Sequence, residues 1–330
     1  MLAIDLETIS IIIPLHSGKD FLDELLDSLE AQTIKPNEVI FIISETSEST
    51  DMVQILSKRK SLNIKHKIIE PAYPGKARNI GAEHSSSNLL AFLDLRTIPK
   101  PDWLEKTYYE YANSDCIFIG GIQGCTANTS FKKILRAATR GNLNSRSLAG
   151  SIVRASYFNE ESKFRPDIRA GEDWEWINRF TNKHPSIWSN YVGLSYHGLP
   201  NNIFVTTKKW YVYSIENAKA NIFVAQKFLY FILFVILLIS LYLWNYIFTG
   251  GQWSSSPYFI PHLNKISWAF FFMIYFIYRG IVRPIKLGVD QSYILPVRWL
   301  LVGLLGILID LVKAPGRVLG FINFIKQKLI

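Results

Sequence analysis

Residues 88–104, NLLAFLDLRTIPKPDWL, decide how this chain folds. From Leu89 to Leu93 small, aromatic and aliphatic residues follow one another without a charge, which predicts a short strand buried on both faces. The run stops at Asp94. A carboxylate at the carboxyl end of a buried strand sits at the sheet edge where open α/β folds receive ligands, so Asp94 is the first site candidate. The competing reading is a turn cap ahead of Pro99 and Pro101.

Upstream, residues 9–14 (ISIIIP) read as the first buried strand, and Asp20 precedes a helix whose Phe21, Leu22, Leu25, Leu26 and Leu29 recur at helical spacing. Residues 39–43 and 65–69 read as the second and third strands. The alternation of strands and helices predicts a parallel sheet with right-handed crossovers. Two loops between them carry polar chemistry. Residues 44–51, SETSESTD, form an acidic turn that either holds a base or ribose hydroxyl or is simply solvated. Residues 74–81, PGKARNIG, open a helix with Lys76 and Arg78, and a helix start bearing cations is an anion site.

Downstream, residues 116–122 and 149–153 read as strands around a basic helix, 131–140, with Lys132, Lys133, Arg136 and Arg140. That helix touches a membrane or an anionic acceptor, or is a solvated face. Residues 171–176, GEDWEW, place Glu172 and Asp173 at a helix start. There they serve the helix dipole or chemistry, and Trp174 and Trp176 offer apolar faces for packing.

A length of 330 residues allows roughly two domains. Of the 36 Lys and Arg, 13 lie after residue 200 against 3 acids, which leaves 23 cations and 24 acids before it. The positive excess therefore belongs to an apolar tail, which points to an anionic membrane surface rather than nucleic acid. Cys116 and Cys125 make neither a zinc set nor a disulfide framework, which fits a reducing compartment. Asp5 and Glu7 before the first apolar run argue against a secretory signal. Residues 228–248 hold 21 positions without a charge, enough to span a bilayer, and 266–282 form a shorter partner. Lys208, Lys209, Trp210, Tyr211 and Tyr213 suit an interfacial helix within a linker, 201–227. The last apolar stretch, within 295–330, contains Asp310 and is basic on both flanks, so a re-entrant or interfacial segment is expected. Cations after the second span put the front domain on the cytoplasmic side of a cell membrane.

In chain order, SIIIPLHSG, KPNEVIFIISETSESTD, PGKARNIGAEHSSSNLLAFLD, IPKPDWL, GSIVRASYF and AGEDWEW make residues 1–200 resemble the family 2 glycosyltransferases of the GT-A fold. The resemblance implies an α/β, Rossmann-like catalytic domain followed by an α-helical transmembrane region. It further implies a nucleotide-sugar donor over the strand edge, with Pro14, Leu15 and a displaced β2-end acid, Glu45, near the nucleoside. Arg78 and Asn79 are then near base and phosphates, Asp94 belongs to the diphosphate and metal motif, and Asp173 is the base, with Glu172, Trp174 and Trp176 on the acceptor side. A divalent cation, Mg or Mn, would be held by Asp94 and, at the position where related enzymes often place a His, His197. Two departures from the family pattern matter: Ile43 and Ser44 stand where β2 usually ends in a pair of Asp, and the second, in the Asp94 motif, is the more serious. Arg96 stands where the second Asp belongs and cannot ligate a metal; it either replaces the ion's charge at the phosphates or pairs with Asp94 or Asp102. The expected function is transfer of a sugar, by single displacement with inversion, to a lipid-linked or polysaccharide acceptor at the cytoplasmic leaflet. The alternative is a degenerate GT-A domain acting as a membrane-bound binding or scaffolding subunit.

Overall fold

The computed structural model describes residues 7–158, 162–220, 222–242 and 263–329. In chain order the front half runs β1 (Ile9–Leu15), α1 (Leu22–Glu30), β2 (Glu38–Ser44), α2 (Ser49–Ser57), β3 (Ile64–Ile69), α3 (Pro74–Glu83), β4 (Leu89–Phe92), β5 (Thr97–Pro99), α4 (Trp103–Ala112) and β6 (Phe118–Cys125). Then follow α5 (Ser130–Thr139), β7 (Ser145–Arg154), α6 (Glu172–Thr181), β8 (Ser186–Trp188) and β9 (Leu194–Tyr196). Helices make up the rest: α7 (Ile203–Glu216), α8 (Val224–Tyr242), α9 (Leu263–Ile277), a π turn (Tyr278–Val282), α10 (Arg283–Lys286), α11 (Gln291–Ile294) and α12 (Arg298–Leu329).

The chain forms two compact units. The first comprises Met1–Ala127 and Leu143–Leu199, and the second Asn128–Asn142 and Pro200–Ile330. In the first, the sheet order is β3-β2-β1-β4-β7-β6-β9-β5, with β8 paired to β6. The four strands β3, β2, β1 and β4 are parallel, as expected. Beyond them β7 runs antiparallel to both β4 and β6. The sheet is mixed.

Alternation along the central strands explains their unbroken apolar sequence. Ile9, Ile11, Ile13 and Leu15 of β1, with Leu89, Ala91 and Leu93, join one core beneath α1, α2 and α4. Ile12, Leu90 and Phe92 join the other, with Phe118, Phe164, Trp176, Ile177 and Phe180. Both faces are buried, so each large side chain contributes roughly 1.5–3 kcal/mol. The same parity sends Asp94, two steps past the strand, to the face of Leu90 and Phe92. That is the face of α6.

In the second unit, α5 belongs with the helices although it lies between β6 and β7 in the chain. Three stretches, Val224–Leu241, Lys265–Lys286 and Arg298–Leu329, are long and apolar enough to cross a membrane. The expected span 228–248 runs past residue 242, outside the described residues. Within the last apolar segment, 295–330, α12 is one helix of 32 residues through Pro315. At 1.5 Å per residue it measures about 48 Å. Its Arg279 partner is anchored deeply: Nε lies 2.7 Å from Asp310 Oδ2, and Nη2 donates to Gly306 O at 2.8 Å.

Candidate active site

Helix α3 begins with Pro74, whose fixed φ suits a first helical turn, and Gly75. A side chain at Gly75 would strike the Arg165 carbonyl oxygen at 2.7 Å, so only glycine lets α3 approach the chain there. One turn on, Arg78 is buried. Its Nη2 donates to Asp94 Oδ1 at 2.7 Å and its Nη1 to Glu172 Oε1 at 2.9 Å, while the guanidinium lies over the Phe164 ring. Burial works against that charge, but Asp94 and Glu172 outweigh it and hold the Arg78 pKa above its ordinary value.

Helix α6 supplies the other side. Gly171, at φ +89°, turns the chain so that Glu172 and Asp173 occupy the first turn, where acids favour the helix dipole. Three carboxylates then surround one guanidinium. Glu172 is buried, and burial with the Asp173 charge pushes its pKa up to about 7 against the pull of Arg78. Burial also raises Asp173, with Asp94 adding to the shift while Arg78 and the Trp174 N–H oppose it. Asp173 is half-buried, and its Oδ1 accepts from that N–H at 2.8 Å. A carboxylate whose pKa is raised in this way is a better proton acceptor than a free one, which suits a general base.

The other expected residues are distributed differently. Asn79 is buried and spends both amide atoms on Phe164, donating to its O at 2.8 Å and accepting from its N at 2.9 Å. It acts as a peptide clamp rather than facing a base or phosphate. Trp176 is fully buried and stacks on Phe164 and Phe180, so its expected place on the acceptor side is corrected to core packing. Trp174 is half-buried with its ring near Trp188. Arg96 pairs with neither expected acid. Its guanidinium lies 5.1 Å from the centre of the Phe21 ring, while Asp94 is held by Arg78 and Asp102 by Lys106 and Tyr191.

At the donor-side strand ends, Pro14 is half-buried, Leu15 is buried and Glu45 is exposed. The residue that sequence reasoning missed is Glu48. Its carboxylate accepts from the N–H groups of Gly18 and Lys19, at 2.9 and 3.1 Å, and closes the loop after β1. Those bonds, first Lys19 and then Gly18, lower its pKa. A signal existed: Gly18, here at φ +104°, ends a strand in a loop whose amides need an acceptor, and SETSESTD offers three acids.

A divalent cation finds a poor donor set. Asp94 is engaged by Arg78, and His197 turns Nδ1 toward Glu24 Oε1 at 3.0 Å. Among the described residues no three His, Cys, Asp or Glu side chains gather as a metal set. With a guanidinium on Asp94 and Arg96 in place of the second carboxylate, these residues do not fit a hard cation that needs oxygen ligands.

Residues 10–169 match the family model described as "Glycosyl transferase family 2". Among curated proteins, the chain is 25% identical over 188 residues to Glycosyltransferase AglE of Haloferax volcanii, covering 52% of this chain and 61% of that one. It is 31% identical over 108 residues to Glycosyltransferase GlyA of Streptococcus pneumoniae, covering 32% of this chain and 14% of that one. The match thus spans less than two thirds of either relative. Among solved structures, S. aureus TarS 1–349 in complex with UDP-GlcNAc superimposes with a TM-score of 0.48 at 16% identity, covering 65% of this chain and 68% of that one. The same protein with UDP gives 0.47 at 15% identity over 97% and 92%. Likenesses at that level carry no weight for function. The family model is the stronger finding: over residues 10–169, just under half of the chain, the sequence matches glycosyl transferase family 2.

Proposed function

We propose that the chain is a membrane-anchored glycosyltransferase that moves a sugar from a nucleotide-sugar donor to an acceptor hydroxyl, with inversion. The observation that carries this reading is the pair Glu172 and Asp173 in the first turn of α6, gathered with Asp94 around the buried Arg78, which donates to Glu172 at 2.9 Å and to Asp94 at 2.7 Å. Asp173 takes the acceptor proton as the acceptor oxygen bonds to the anomeric carbon. The bond from that carbon to the diphosphate oxygen breaks on the opposite face, and the configuration inverts. The leaving diphosphate gains negative charge that must be met by a fixed cation. Arg96, beside the loop after β1, is assigned that task, and no step passes through a metal.

Residues 1–200 form the catalytic part in this reading, 201–227 a linker, and 228–330 the membrane anchor. The acceptor is lipid-linked or a glycan, and catalysis takes place at the cytoplasmic leaflet, on the side where Arg279, Arg283, Lys286 and Arg298 accumulate. Whether α12 crosses the bilayer is decided by labelling Lys326→Cys in vesicles of known orientation. Labelling from the outer side alone would mean a third crossing.

The test of the reaction is direct. Purified full-length protein is given a panel of nucleotide sugars with polyprenyl phosphate or glycan acceptors, and the anomeric configuration of any product is read by NMR. Transfer with inversion is expected. Donor binding without transfer or hydrolysis would instead assign the chain to the scaffolding class.

A further inference from the structure

The helical unit contains a cavity of about 230 Å³ lined by Lys133, Arg136 and Ala137 of α5, by Asn142, and by Val289, Asp290 and Tyr293. From its positions we infer that this cavity binds the phosphate headgroup of a membrane lipid. Helix α5 carries no acid, while Lys132, Lys133 and Arg136 lie within it and Arg140 caps its end. The one acid lining the cavity, Asp290, is turned to its own loop, accepting from the Ser292 N–H and hydroxyl at 2.8 Å. Tyr293, on the opposite wall, has the Arg298 guanidinium 4.9 Å from its ring centre. The lining is thus cationic and aromatic, which suits a phosphate at a bilayer surface.

What places this cavity at a bilayer surface is the way α5 is fastened. Ala138 O, at the carboxyl end of α5, accepts from Arg283 Nη1 at 3.0 Å, and Arg279 Nη1 lies 3.4 Å from the same oxygen. Both arginines close the stretch Lys265–Lys286, which is apolar enough to span a membrane. Asn142 N donates to Leu287 O at 2.8 Å, and a side chain at Gly141 would run into Leu287 at 2.3 Å. The basic helix is therefore fixed to the charged end of an apolar helix. Cations held at that level meet lipid phosphates before any soluble anion.

This inference does not rest on catalysis, so it is tested by binding. Detergent-solubilised full-length protein is titrated with short-chain phosphatidic acid, polyprenyl phosphate and inorganic phosphate, and bound lipid is counted by native mass spectrometry. Saturable binding of either lipid is expected, weakened about ten-fold or more in Lys133→Gln/Arg136→Gln. The pair Lys326→Gln/Lys328→Gln removes the same charge elsewhere on this unit and should leave binding unchanged. Preference for polyprenyl phosphate would assign the cavity to an acceptor lipid, and equal binding of phosphatidic acid to bulk lipid; both uphold the inference. Equal affinity for inorganic phosphate, or equal losses in the two double variants, would overturn it. Should the Lys133/Arg136 variant fail to purify, the exposed single change Lys133→Gln carries the same test.

Discussion

Arg78 and Arg279 are both buried arginines facing carboxylates, yet the balance of charge around them differs. Arg78 binds Asp94 and Glu172 with Asp173 close by, so negative charge exceeds what one guanidinium can neutralise. Arg279 pairs with one acid among the described residues, Asp310, whose Oδ2 also accepts from the Tyr275 hydroxyl at 2.6 Å, and the guanidinium is completed by the carbonyl oxygens of Gly306 and Ala138. The first arrangement stores a proton near neutral pH. The second pairs one acid directly with one guanidinium and fastens helices together. Acids crowded on one cation are the arrangement a titrating site needs, whereas a direct one-to-one pair suits architecture.

The widest separation between the two should come from removing each arginine. Arg78→Met leaves Glu172 buried without a partner and should cost about 3–5 kcal/mol of stability together with essentially all turnover. Arg279→Met should cost a similar stability by orphaning Asp310, with turnover per folded molecule retained. The compensated doubles sharpen the contrast. Arg279→Met/Asp310→Leu should recover stability with activity, whereas Arg78→Met/Glu172→Met should recover stability alone. Melting in detergent and turnover normalised to folded protein check all four, and recovered activity in the second double would break the distinction.

A smaller effect should appear in the pH dependence of stability. The folded Glu172 pKa of about 7 lies above its ordinary value of 4.5, so between these limits the folded state holds more protons than the unfolded one. The stabilisation is complete below the unfolded value and is lost as pH rises through the folded one. Melting should therefore fall from pH 5 to pH 8, and Glu172→Gln should flatten that slope. An unchanged slope would mean that Glu172 is not the group that titrates.

The smallest predicted change concerns Arg96. If it meets the charge of the leaving diphosphate, activity persists in EDTA and Arg96→Ala lowers turnover several-fold. Loss of activity in EDTA with only a mild effect of Arg96→Ala would assign that charge to an ion held by Asp94 and His197 instead.

Much of the candidate site was legible because it depends on local rules. Five apolar residues ending in Asp94 fix a strand, its parity and the face on which the carboxylate emerges, and a glycine followed by two acids fixes the start of α6. What could not be read depends on pairings distant in sequence. Arg78 is 94 positions from Glu172, and nothing in PGKARNIG says that its cation is spent on two acids. The reversal of β7 is set by its partners β4 and β6, and Glu48 by a loop 30 positions earlier. Trp174 and Trp176 differ by two places on a helix, which puts them on different faces. Only the position of the core tells which one is buried.

The most direct test of the account is Asp173→Asn, which keeps size and removes basicity. Donor affinity, read by thermal shift, should remain near the wild-type value while turnover falls by about 10² to 10⁴. Turnover retained at the wild-type level, with the protein folded and donor bound, would contradict the assignment of Asp173 as the base.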